Sequence, residues 1–485
     1  MNVSLKTNTP ELAGEICDEI RLFIAVKRIE YVEEKADDGY FICHEFDENE
    51  FSHKCSLYLD GDLVSTADDK EDKPDAHDVL LYKKMKKRGA KKTTFYCMKG
   101  FFKKDLPWGN LTGIRPTKLF REMKDELGED AAISKLRGEF CVSEEKLKLL
   151  RQINAVQQPF IDSVSDDVVD IYIGIPFCTT KCAYCSFSSG LTSKDGARER
   201  EYVDALLREI DMLSEVTSRC HIRSVYIGGG TPTSLNEAQL ERVLFAAGKM
   251  ADGCAEFTVE AGRPDTITKE KLALIKAAGA GRISVNAQTA NDETLKRMGR
   301  SHSFEQFASA YELAKSYGFL INTDLILGLP GESTQDALYS VKQMMRLEPQ
   351  NITVHTLAIK NASRFAEENE RGFMDADDAI RGVEQARELL ATGGYLPYYM
   401  YRQKYMAGNL ENVGYSKKGC EGVYNIDIME ETTSIIAFGA GGMSKRVYDK
   451  GRRIERTPAV KDIHHYLTRT DEMAERKLEL FKDIN

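Results

Sequence analysis

Three cysteines stand closer together than any others in this 485-residue chain: Cys178, Cys182 and Cys185, in C-x3-C-x2-C spacing within IPFCTTKCAYCSF. Three thiols on one loop cannot all pair as disulfides, and soft sulfur ligands select zinc or iron–sulfur. A structural zinc calls for a fourth ligand nearby, usually from a second Cys or His pair, and the sequence places none beside this loop. Three thiolates on a four-iron cluster leave one iron open, which can chelate a small molecule and pass it an electron. The eleven cysteines are an odd set, otherwise scattered through a long chain, which reads as reduced thiols rather than a disulfide framework.

Other binding-type residues fall near the ends of short apolar runs. Gly228, Gly229 and Gly230 allow a backbone to approach a ligand closely, although alone they read as a turn. Glu260 and Asp324 offer acceptor oxygens, Gln288 offers both donor and acceptor, and Arg300, twelve residues on, offers a fork suited to a carboxylate. Singly, each reads as an ordinary core or surface hydrogen bond.

The runs that would position them are regular. Apolar, β-branched stretches at Asp170–Ile175, Ile222–Ile227, Glu256–Glu260, Arg282–Asn286, Leu320–Leu327 and Asn351–Leu357 alternate with amphipathic helical stretches at Glu201–Leu213, Glu237–Met250, Lys269–Ala277, Phe304–Tyr317 and Thr334–Leu347. Six strand–helix units imply an α/β protein with a parallel sheet, curved and barrel-like at least as readily as flat, with ligands at the strands' C-terminal ends. The expected organisation is an α+β domain over 1–160, a (β/α)6 core over 161–375 and an extension over 376–485 that covers the active site. In the first part, Asp60–Asp78 reads as an acidic loop, and Lys83–Lys104 carries ten basic residues and no acidic one, with Phe95, Tyr96, Phe101 and Phe102 interleaved. That run suits a nucleic-acid surface superficially, but a solvated basic face is the default. Trp108, the sole tryptophan, reads as part of a structural turn. Lys plus Arg total 67 against 77 for Asp plus Glu, which argues against nucleic acid as the partner. No run of eighteen apolar residues and no secretory leader is visible, so the expectation is no membrane span and a cytoplasmic protein.

The cysteine loop preceded by IYIGIPFC, then YIGGGTPT, VEAGRPD, RISVNAQT, RMGRSH and INTDLILGLPGES in that order, resembles the radical S-adenosylmethionine superfamily. Within it the chain resembles the oxygen-independent coproporphyrinogen III oxidase (dehydrogenase) group, strongly over Asp170–Asp375. PWGNLTGIRPTKL, IGIPFC and YYMYRQKYMAGNLENVGY look most like its HemZ type. The resemblance implies a partial (β/α)6 TIM-like barrel and a [4Fe–4S] cluster on Cys178, Cys182 and Cys185. It also implies S-adenosyl-L-methionine held by Tyr172 near the sulfonium, by Gly229, Gly230 and Thr231, by Glu260, Gln288, Arg300 and Asp324, and by Ile326 and Ala358 against the adenine. Tyr172 and the three cysteines are the implied catalytic set. The implied reaction is oxidative decarboxylation of coproporphyrinogen III propionates to vinyl groups in porphyrin and haem biosynthesis. Its partners would be a tetrapyrrole and a low-potential electron donor such as flavodoxin or ferredoxin.

Two positions depart from the porphyrinogen dehydrogenase pattern. Phe187 stands where that pattern has a fourth cysteine, and Gly174 stands where it has a histidine. A phenylalanine after the third cysteine also occurs in the related haem chaperone, so a haem-binding trafficking protein without porphyrinogen turnover is the alternative. For the enzyme, Phe187 is expected to shield the open cluster face from water. Arg402, Lys404 or Arg115 are expected to meet the substrate carboxylates.

Overall fold

The computed structural model describes residues 2–24, 26, 28–75, 77–165, 167–358, 363–367, 374–403 and 406–484. The chain divides into two compact units, one of residues 1–116, 120–150 and 408–410, the other of residues 117–119, 151–407 and 411–485.

The first unit is built on a five-stranded sheet of β1 (Val3–Thr7), β2 (Glu30–Tyr31), β3 (Tyr40–Asp47), β4 (Ser52–Leu59) and β5 (Asp62–Lys70), in the order β2-β1-β3-β4-β5. Leu5, Ile16, Ile20, Ile42, Leu57 and Met98 form its core. The expected acidic loop is therefore largely a strand, β5, with Asp68 and Asp69 on an edge where charge blocks further pairing. The basic run is one helix, Val79–Phe102, capped by the Asp78 side chain on the Leu81 amide at 2.9 Å. Most of its cations are matched: Lys86 with Glu11 (2.8 Å), Lys87 with Glu15 (2.6 Å), Lys91 with the buried Glu19 (3.2 Å), Lys92 with Asp69 (2.6 Å), Lys99 with Asp105 (2.6 Å), and Arg88 with Glu71 (2.7 Å) and Glu139 (3.2 Å). Phe95 is buried, and Phe101 and Phe102 pack on Tyr40. Mostly paired cations and largely inward rings argue against a nucleic-acid strand along this helix.

The second unit holds one continuous sheet. Parallel strands β6 (Val168–Ile175), β9 (His221–Gly229), β10 (Glu256–Glu260), β11 (Arg282–Ser284), β12 (Leu320–Leu327) and β13 (Asn351–Thr356) follow one another, each separated from the next by helix, as a partial TIM-like barrel. A short ribbon of β7 (Phe177–Cys178) and β8 (Gly190–Leu191) rises from the end of β6. The segment after Asp375 extends the sheet at both edges. β15 (Asn412–Ser416) adds antiparallel to β13 and β14 (Leu396–Tyr401) antiparallel to β15, while β16 (Ser434–Phe438) adds a seventh parallel strand beside β6, continued by β17 (Met443–Tyr448) and β18 (Arg453–Pro458). β16 reads SIIAF and was not anticipated: five residues between glycine-rich stretches are too few to show a period.

Side chains alternate along every barrel strand. Ile171, Ile173, Val225, Ile227, Val259 and Ile283 are fully buried, whereas Tyr172, Tyr226, Glu260, Asp324 and His355, of the opposite parity, line a cavity. The C-terminal segment is anchored by a buried charge. Glu209, on helix Ala197–Met212, accepts from the Tyr466 hydroxyl (2.8 Å), the Gly439 amide (2.9 Å) and the Lys477 ammonium, and Lys477 is 1% exposed. Removing one member of such a pair strands the other. Lys477→Met is expected to cost the second unit about 3–5 kcal/mol, read as a lowered urea midpoint. A shift under about 1 kcal/mol would show that the pair holds nothing in place.

Candidate active site

The C-terminal ends of the barrel strands open onto a cavity of about 620 Å³, whose lining residues all belong to the second unit. Every residue expected to hold the cluster or S-adenosylmethionine lines it: Tyr172, Cys178, Cys182, Cys185, Gly229, Gly230, Thr231, Glu260, Gln288, Arg300, Asp324, Ile326 and Ala358.

The cysteine loop is held by backbone hydrogen bonds rather than by regular structure. Gly230 N donates to Ile175 O (2.8 Å), Thr231 N to Phe177 O (2.7 Å), Thr192 N to Cys178 O (3.0 Å) and Ala183 N to Met298 O (2.9 Å). Ala183 anchors the loop's middle in a small apolar cluster with Leu295, Met298 and Ile326. Gly229 has φ +111°, and a Cβ on Gly230 would lie 2.5 Å from the Phe177 carbonyl. The glycine run is therefore what lets β9 dock against the cysteine loop. The three thiols are half-buried and free. Burial pushes the Cys185 thiol up, and the neighbouring Cys182 and Cys178 add to the shift, while the Phe187 amide opposes it.

The cavity holds two carboxylates in different states. Burial drives Glu260 up to about 7; the Tyr226 hydroxyl (2.6 Å) and the Gly229 amide (3.2 Å) pull it down, and Asp324 pushes it further up. Burial works against the charge on Asp324 too, but the neighbouring His355 imidazole, the Asn322 amide and the Thr353 hydroxyl outweigh it and hold its carboxyl below the usual range. Gln288 lies four residues beyond β11, at φ +72°. Its amide and carbonyl bridge to Asp324 O and Ile326 N at 2.9 Å each, so its side chain returns to the cavity. Arg300 turns its fork onto the Asn286 carbonyl (3.0 Å) and the Tyr184 hydroxyl (3.3 Å).

Several lining residues escaped the sequence reading. Tyr172, Tyr226 and Tyr424 form a stack, with the Tyr226 and Tyr424 ring centroids 4.5 Å apart. Tyr226 has a visible signal, since it shares a strand face with Gly228; Tyr424 has none, because it arrives from far along the chain. His355, with Nδ1 3.3 Å from the Tyr401 hydroxyl and Nε2 3.8 Å from Asp324, and Arg263, near Cys182, were also passed over. The expected carboxylate partners are Arg402, Arg115 and Lys404. Arg402 is 3% exposed and not among the described lining residues, Arg115 belongs to the first unit, and Lys404 lies outside the described residues. The Phe187 ring is 68% exposed at the cavity rim, too open to serve as a shield. Among the described residues no helix is long and apolar enough to cross a membrane.

Residues 172–344 match the Radical SAM superfamily. The oxygen-independent coproporphyrinogen-III oxidase-like protein HemZ of Bacillus subtilis (strain 168) is 38% identical over 391 residues, 78% of this chain and 77% of that protein. The heme chaperone HemW of the same organism is 30% identical, over 61% of this chain and 74% of that protein. The solved structure of coproporphyrinogen III oxidase (HemN) from Escherichia coli superimposes with a TM-score of 0.50 at 21% identity, covering 66% of this chain and 73% of that one. On this similarity and on the barrel that carries it, the chain belongs to the radical S-adenosylmethionine superfamily, in the group of oxygen-independent coproporphyrinogen III oxidase-like proteins.

Proposed function

We propose that this protein carries out the oxygen-independent oxidative decarboxylation of coproporphyrinogen III, converting two propionate side chains to vinyl groups with loss of carbon dioxide. The observation that carries the reading is that three free thiols, a glycine rim and two carboxylates converge on one cavity with an aromatic wall, in a chain 38% identical to a HemZ protein. Superfamily members use a [4Fe–4S] cluster and S-adenosylmethionine, and the donor set fits both. The three thiols are free and face one cavity, and soft sulfur donors of this kind suit iron–sulfur ligation.

Cys178, Cys182 and Cys185 would hold the cluster. When bound, the cluster and S-adenosylmethionine would supply the one-electron chemistry that removes hydrogen from the substrate. The Gly229–Gly230–Thr231 rim offers backbone groups to the amino acid moiety. Glu260 gives up its proton near neutrality to accept hydrogen bonds from an amino group or ribose, while Asp324 stays ionised. Ile326 and Ala358 give the adenine an apolar surface. Tyr172, Tyr226 and Tyr424, whose phenols burial holds neutral, exclude water and hold the substrate side of the cavity in shape. The electron that opens each turnover would come from a low-potential carrier such as flavodoxin or ferredoxin, and the electron left on the substrate after hydrogen loss would pass, as carbon dioxide leaves, to an external one-electron acceptor.

A second reading, haem binding and delivery without turnover, is favoured by Phe187 in place of a fourth cysteine and by the 30% identity to HemW.

Anaerobic reconstitution is expected to load one [4Fe–4S] cluster, and Cys→Ala at position 178, 182 or 185 to remove its chromophore; tightly bound zinc with no iron would end the proposal. Because Glu260 titrates near 7 in the ligand-free site and binds best ionised, S-adenosylmethionine affinity should climb up to about tenfold per pH unit below 7 and level off above it. Calorimetry on the cluster-loaded protein should find weaker binding and no such slope in Glu260→Gln. In an anaerobic assay with coproporphyrinogen III, reductant and S-adenosylmethionine, mass spectrometry should detect the loss of carbon dioxide from wild type. A Soret band on haem titration, with no decarboxylated product, would instead support the chaperone reading.

A further inference from the structure

The three cysteines do not share one environment. Cys178 Sγ lies 3.6 Å from the Thr231 hydroxyl, and Cys185 takes the backbone amide of Phe187. Cys182 instead faces a guanidinium, with Arg263 Nη1 3.8 Å from its sulfur. Arg263 is 3% exposed, and fixed partners hold it in plane. Nε and Nη2 donate to the two oxygens of Asp265 at 3.0 and 3.2 Å, Nη2 also to Ser301 Oγ at 3.2 Å, and Nη1 also to the Thr180 carbonyl at 3.4 Å. Asp265 is itself held by the Thr179 and Ser301 hydroxyls at 3.2 and 3.3 Å. The carboxylate grips one edge of the guanidinium, and the remaining nitrogen points at a single sulfur. Arg300 adds a second cation: burial disfavours its charge, but Tyr184 and Cys182 hold it.

Hydrogen bonds and local charge at the ligating sulfurs set the potential of an iron–sulfur centre. A buried cation is screened little by solvent, and it favours the state with one more negative charge. We propose that Arg263 is a positioning residue that makes the cluster easier to reduce, by donating an N–H to the Cys182 sulfur. The step it assists is entry of one electron from the external low-potential donor, with no bond made or broken. The inference rests on the reading that Cys178, Cys182 and Cys185 hold a cluster.

The test compares full-length wild type, Arg263→Gln, Arg263→Lys and Asp265→Asn after anaerobic reconstitution, by iron content and by a dithionite titration followed with electron paramagnetic resonance. Arg263→Gln is expected to keep its iron and to be at least tenfold harder to reduce, about 59 mV lower for a one-electron couple. Arg263→Lys, which keeps the charge, should recover part of the loss. Asp265→Asn, which loosens the clamp but removes a negative charge, should leave the potential unchanged or raise it. If Arg263→Gln loses iron, Arg263→Lys carries the comparison. The inference is overturned by a loaded Arg263 variant of unchanged potential, by equal downward shifts in Arg263→Gln and Asp265→Asn, or by loss of iron from both Arg263 variants. A wild type that takes up no iron overturns the cluster reading, and this inference with it.

Discussion

Alternation along the barrel strands is the constraint on which the rest of the structure depends. Isoleucine and valine of one parity are sealed beneath helices, so the other parity must point into the barrel, and there the chain has placed aspartate, glutamate, tyrosine, asparagine and histidine. Polar groups in such a space are costly unless each finds a partner. The two ends of the barrel meet that demand differently.

At the N-terminal end of the strands the demand is met internally. Arg282 bonds Glu256 (3.2 Å) and the carbonyls of Cys420 and Glu421 (3.0 and 3.1 Å), Glu256 receives the Val423 amide (2.9 Å), Asp170 takes the Ser224 hydroxyl (2.6 Å), and Arg223 pairs with Asp427 (3.0 Å). Burial pushes Asp170 up to about 6 and moves Asp427 upward as well. Segment 420–433 thus seals that end with hydrogen bonds, and its helix delivers Tyr424 to the aromatic stack above. At the C-terminal end no such plug exists among the described residues, and polar groups are left facing a cavity. One half of the inner face is a closed network; the other is a binding surface.

The open half is differentiated by its neighbours rather than by its residue types. Glu260 and Asp324 are both half-buried carboxylates, yet a phenol and an amide beside one and an imidazole with two further donors beside the other pull their proton affinities apart. The same holds for the thiols, which receive a hydroxyl, a guanidinium and a backbone amide in turn. Shells of this kind tune reactive groups without touching substrate.

Much of this was legible in the sequence. The strand–helix alternation from Asp170 to Leu357 is long and periodic, and helices Glu237–Met250, Lys269–Ala277 and Thr334–Leu347 lie where periodicity places them. The cysteine spacing and the ordered motifs identified residues that the fold brings to one cavity, because most fall in or after the C-terminal part of a strand and parallel strands end on the same side. Contacts between distant segments were not legible. Tyr424 reaches the stack through the turn of segment 420–433, β16 joins β6 across more than 250 residues, and the left-handed Gln288 is held by the ladder of β12. The neighbours that tune Glu260, Asp324 and Cys182 come from separate strands and loops. Local sequence carries periodicity and spacing, whereas proton affinities and hydrogen-bond partners are set by groups adjacent only after the chain has folded, and only the tertiary structure could decide them.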